Sequence, residues 1–108
     1  MKNNIISLKD EHSFKNILSS RLSFSNSSYR ICYIPNRLKT LQYGIAVGKK
    51  TFRTAVLRNK IKRQIRMFLV KLPTIKCVDI VILVREGYLK NTFLENSKLF
   101  LDLYNNIR

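Results

Sequence analysis

The chain has 108 residues, 21 of them Lys or Arg against 6 Asp or Glu, for a formal net charge of +15. That length supports one domain around one modest core, and a hydrophobic content of 45% excludes a disordered chain. No apolar run reaches the length of a membrane-spanning helix, and two cysteines with one histidine are too few ligands for a zinc site.

Residues 1–7 are expected as a flexible leader; they lack the apolar core and small-residue cleavage site of a secretory signal, so the cytoplasm is the expected location. Asp10 or Ser13 can cap a first helix over 10–19, with Phe14, Ile17 and Leu18 on its apolar side. The Ser/Asn cluster 23–28 reads as a loop. A strand over 29–34 alternates Tyr29, Ile31 and Tyr33 on one face with Arg30, Cys32 and Ile34 on the other. A second strand follows over 43–48, and the short connection predicts an antiparallel hairpin. A basic helix spans 54–72 and stops at Pro73. The nearly unbroken apolar run 78–85 predicts a central strand covered on both faces. Cys32 and Cys77 are expected as reduced, packed thiols. The last helix runs from 91 or 92 to 104, with Phe93, Leu94, Ser97, Phe100, Leu101 and Tyr104 at helical spacing. The order is α-β-β-α-β-α, an α+β two-layer sandwich on a small sheet, in one domain over 1–108.

The basic helix carries the functional signal. Between His12 and Val78 there is no Asp or Glu but fifteen Lys or Arg. Leu57, Ile61, Ile65 and Phe68 recur on one side of the helix, while Arg58, Lys62 and Arg66 form the adjoining row and Asn59 and Arg63 the next. Charged helix faces are ordinarily just solvated, but they then carry Glu four residues from Lys or Arg. Here like charges stack instead, each pair costing on the order of 0.2–0.5 kcal/mol. A phosphate backbone relieves that repulsion and releases counterions. A membrane-surface helix would need a broad apolar face and no core of its own. Asn59 adds an amide able to donate and accept at a ribose hydroxyl or base edge.

The runs Tyr43-Gly44-Ile45-Ala46-Val47-Gly48-Lys49-Lys50 and Ala55-Val56-Leu57-Arg58-Asn59-Lys60-Ile61-Lys62-Arg63-Gln64-Ile65-Arg66 resemble the signature region of the bacterial ribonuclease P protein subunit. The family usually has Arg-Asn-Arg where this chain has Arg58-Asn59-Lys60; Lys keeps the charge without the planar fork. The resemblance implies a cofactor for a catalytic RNA that removes the 5′ leader of precursor tRNA. It places the magnesium-dependent catalytic centre on the RNA, with no cofactor held by the protein alone. It also implies a left-handed β-α-β crossover around the basic helix, against the usual rule. The expected partners are the catalytic RNA and precursor tRNA, with no membrane and no obligate protein partner. Lys49, Lys50, Arg53, Arg58, Asn59, Lys60, Lys62, Arg63 and Arg66 are the expected RNA-contacting set. By residue pattern alone Phe14, Ile31 and Tyr33 read as core side chains; the resemblance instead implies a leader cleft between the first helix and the sheet, with Phe14, Leu18, Ile31 and Tyr33 along it.

Nothing in the sequence assembles a protein-borne active site or metal site. His12 is single, Asp79 is isolated, and Asp10-Glu11 has no partner at a motif spacing. A structural ribosomal-type RNA binder and a protein-only nuclease are the competing classes.

Overall fold

A computed structural model of the chain describes residues 5–8 and 10–107. In chain order it has β1 (Ile5–Ser7), α1 (Glu11–Leu18), β2 (Ser23–Ser25), β3 (Tyr29–Pro35), β4 (Leu41–Ala46), α2 (Ala55–Val70), β5 (Val78–Val84), a 3-10 turn (Glu86–Lys90) and α3 (Phe93–Asn106). The five strands form one sheet in the order β1-β4-β5-β3-β2. The most apolar strand, β5, takes the centre, parallel to β4 and antiparallel to β3. Helix α2 therefore bridges two adjacent parallel strands in a β-α-β unit.

Three local expectations change. Ile5–Ser7, expected in a flexible leader, pair in parallel with Leu41–Tyr43; residues 1–4 lie outside the described residues. Ser23–Ser25, expected in a loop, form an edge strand against Arg30–Cys32. The predicted hairpin of β3 with β4 does not form, because β5 inserts between them. Asn36, at the exit of β3, donates to Thr40 O at 3.3 Å and to Asp79 Oδ1 at 2.7 Å. One side chain thus ties the connecting loop to the inserted strand.

Strand alternation separates two cores. Tyr29, Ile31 and Tyr33 of β3 and Ile80 and Ile82 of β5 pack with Ile61, Ile65, Phe68 and Leu69 of α2 and with Phe100, Leu103 and Tyr104 of α3. On the other face Cys32 and Val81 pack with Ile17 of α1, flanked by Phe14, Ile34 and Leu83. Helices cover both faces, so α1 adds a third layer to the expected two-layer sandwich. Fully burying a side chain such as Ile17 contributes about 1.5–3 kcal/mol, enough to dock so short a helix. Asp10 caps it, accepting from His12 N–H at 3.1 Å. Cys32 is buried, but Cys77 is exposed rather than packed; both are free thiols.

Helix α3 is phased differently from the expected stripe. Its buried residues are Asn96, Phe100, Leu103 and Tyr104, while Phe93 is 41% and Leu94 77% exposed. Asn96 earns its place by bonding: Nδ2 donates to Tyr88 O at 2.9 Å, Oδ1 accepts from Ser28 Oγ at 2.6 Å, and its carbonyl accepts from Tyr29 Oη at 2.8 Å. A buried amide satisfied on every side costs little.

Candidate nucleic-acid interface

Thr54 opens α2, its hydroxyl accepting from Leu57 N–H at 3.1 Å. Ile61, Ile65, Phe68 and Leu69 then fix one side of the helix in the core. The side opposite carries Asn59, Lys60, Arg63 and Arg66, all exposed. Burial of the apolar stripe holds these groups in a fixed register, with Asn59, Arg63 and Arg66 about one helical turn apart in succession.

The expected row Arg58, Lys62 and Arg66 is split. Arg66 is exposed, but Arg58 and Lys62 lie on the flank and are half-buried. Arg58 Nη1 donates to Phe52 O at 2.8 Å, and Phe52 is itself fully buried. Phe52 N–H donates to Gly48 O at 3.0 Å, closing the turn that precedes the helix. Arg58 therefore positions the loop bearing Lys49, Lys50 and Arg53, all three exposed. Sequence spacing also missed three apolar residues on the outward face. Val56 is 79%, Val70 58% and Met67 43% exposed.

Three of the six carboxylates are engaged elsewhere. Asp79 accepts from Asn36, Asp10 from His12 N–H and Ser13, and Glu95 from Thr92 N–H. The stretch between His12 and Val78 carries no acid, so α2 and the loop before it supply no counter-charge to the ridge.

The expected leader-cleft residues are not brought together. Phe14 lies on the α1 face, over Gly44, where an added Cβ would come within 2.5 Å of the ring. Leu18 is exposed on the same helix. Ile31 and Tyr33 point to the opposite face and are buried with α2 and α3; Tyr33 stacks on Phe24 at 5.8 Å. Alternation along β3 grouped them correctly, but nothing local said which face α1 would take. The α1 face instead offers a hollow lined by Ser23, Ser25, Arg30, Leu83 and Arg85. Arg85 is held there by donating to Asn26 O at 2.7 Å. The available signal was Arg30 itself, a cation alternating with Tyr29 and Ile31 on a strand.

Among the described residues, no three His, Cys, Asp or Glu side chains gather as a metal-binding group, and no helix is long and apolar enough to cross a membrane.

A rigid cationic ridge on a mixed α+β scaffold defines a protein built to bind nucleic acid. The ribonuclease P family model matches residues 2–108. The ribonuclease P protein component of Mycoplasma capricolum subsp. capricolum is 40% identical, with both chains fully covered. That of Mesoplasma florum is 42% identical over 91% of this chain and 90% of its own. The solved ribonuclease P protein of Staphylococcus aureus superposes with a TM-score of 0.83 at 29% identity over 94% of each chain. That of Thermotoga maritima gives 0.82 at 25% identity, over 94% of this chain and 97% of its own. The chain belongs to the ribonuclease P protein component family, which acts in tRNA 5′ processing.

Proposed function

We propose that the chain grips the catalytic RNA of ribonuclease P through the α2 ridge and the loop before it, and that the RNA carries the catalytic centre. The carrying observation is the set Asn59, Lys60, Arg63 and Arg66, exposed on a helix locked into the core by its other side. Lys49, Lys50 and Arg53 extend the positive surface, and Arg58 holds their loop in place. Phosphates of a folded RNA supply the charge this surface lacks.

The single-stranded 5′ leader of precursor tRNA is assigned to the α1 face. Phe14 and Leu18 offer apolar contact there, and Arg30 and Arg85 offer charge. Stacking and backbone charge make few demands on sequence, which suits an enzyme acting on many leaders. Magnesium belongs to the RNA in this reading. The compartment is the cytoplasm, where tRNA precursors are made.

The test is cleavage of precursor tRNA in magnesium, with and without the catalytic RNA. Stimulation that requires the RNA supports the proposal. Cleavage by the chain alone contradicts it, and binding without stimulation favours a structural RNA-binding role.

A further inference from the structure

Between α2, the 3-10 turn and the start of α3 lies a pocket of about 270 Å³, away from the α1 face and bordered on the ridge side by Lys60. Leu57 and Gln64 line it from α2, Tyr88 from the turn, and Asn91 and Phe93 from the approach to α3, with exposed Lys60 beside them. The geometry points to this pocket as the receptor for one unstacked base of the bound RNA, whose phosphate is met by Lys60. The inference rests on the RNA-gripping function proposed above.

Two amides give the pocket its chemistry. Tyr88 Oη donates to Gln64 Oε1 at 2.6 Å, which engages the amide oxygen and leaves the Gln64 NH₂ as a donor. Asn91 is fixed the other way round: its Nδ2 donates to Ser28 Oγ at 3.0 Å, leaving Oδ1 as an acceptor. Among the described residues neither remaining group has a protein partner. Phe93 supplies an aromatic ring that is 41% exposed, and Leu57 an aliphatic wall. A donor, an acceptor and a ring match the edge and face of a splayed-out base. The volume falls just under the lower end of drug-sized sites, about 300 Å³, so it admits one base and not a duplex. A bare phosphate would leave the walls unused, and an apolar peptide side chain would leave Lys60 unanswered.

The experiment titrates AMP, GMP, CMP and UMP into the full chain, with ribose 5-phosphate as the base-free control. Side-chain amide and methyl resonances are followed by NMR. At least one nucleotide is expected to shift the Gln64 and Asn91 amides and the Leu57 methyls, while ribose 5-phosphate leaves them in place. Gln64→Met keeps length and removes the donor; it should weaken that nucleotide about fivefold, the loss of one neutral hydrogen bond. Phe93→Leu, at an exposed position, gives the same reading should Gln64→Met fail to fold. Equal shifts from ribose 5-phosphate, or shifts only from a leucine peptide, overturn the inference. So does silence at the pocket while catalytic RNA still binds, and that outcome leaves the ridge intact. If catalytic RNA itself does not bind, both fall.

Discussion

The two long helices of one face are finished in opposite ways. Helix α3 is balanced at both ends. Thr92 and Glu95 form a reciprocal cap, the hydroxyl accepting from Glu95 N–H at 3.1 Å and the carboxylate from Thr92 N–H at 2.8 Å. At its far end Lys76 Nζ donates to Tyr104 O at 2.9 Å, to Asn105 O at 3.3 Å and to Ile107 O. Each pole of the helix dipole thus meets an opposite charge. Helix α2 has only the Thr54 hydroxyl, with no acid in its first turn and no base in its last. Its cations repeat at four-residue spacing without a carboxylate among them. The chain balances one helix and leaves the charge of the other uncompensated, as the RNA-gripping role proposed above requires.

The widest way to stress this contrast is alkali. Burial pushes the hydroxyls of Tyr29, Tyr88 and Tyr104 above the usual tyrosine range, Tyr88 to about 12. All three stand on the α3 side, Tyr29 donating to Asn96 O and Tyr104 to Thr74 O. In the unfolded chain they ionise near pH 10 while the fold keeps them protonated, so the unfolded state binds fewer protons there. Their stabilisation is complete below about pH 10 and declines above it, by up to about 1.4 kcal/mol per pH unit for each tyrosine. Urea unfolding followed on either side of that pH checks this, and Tyr88→Phe should flatten the decline by about a third. Stability level through that range would contradict it.

Gly44→Ala tests the opposite face. The new methyl would press on the Phe14 ring and should cost about 1–3 kcal/mol of stability. Gly48→Ala, with nothing within 4 Å, should change it by less than about 0.5 kcal/mol. Equal losses would mean that α1 does not pack as described. Lys76→Ala removes the clamp on α3 and should cost about 1–2 kcal/mol, with less change in the salt dependence of RNA binding than loss of a ridge cation causes. The reverse pattern would place Lys76 with the ridge.

Long elements with strong periodicity were legible. The basic helix was expected over 54–72 and spans Ala55–Val70; the central strand was expected over 78–85 and spans Val78–Val84. Elements defined by remote partners were not. Three-residue strands such as Ser23–Ser25 carry too little alternation to be seen, and exist because Arg30–Cys32 lies alongside. The hairpin failed because a short connection does not reveal a strand from much later in the chain sliding between its arms. Asn96 hid the phase of α3, since a polar residue at a buried position becomes legible only once Tyr88, Ser28 and Tyr29 surround it. The cation set was readable as a set. Which members are free and which hold the loop, as Arg58 does, depended on Phe52 folding back beneath them.

The central claim is that the α2 ridge carries charge for RNA and not for the fold. The direct measurement is the slope of log K against log salt for the catalytic RNA, taken with the unchanged chain and with Arg63→Ala/Arg66→Ala. The slope should fall by about two, while the unfolding free energy stays within about 0.5 kcal/mol for each exposed site. An unchanged slope, or a loss of binding that only follows a loss of folding, would contradict it.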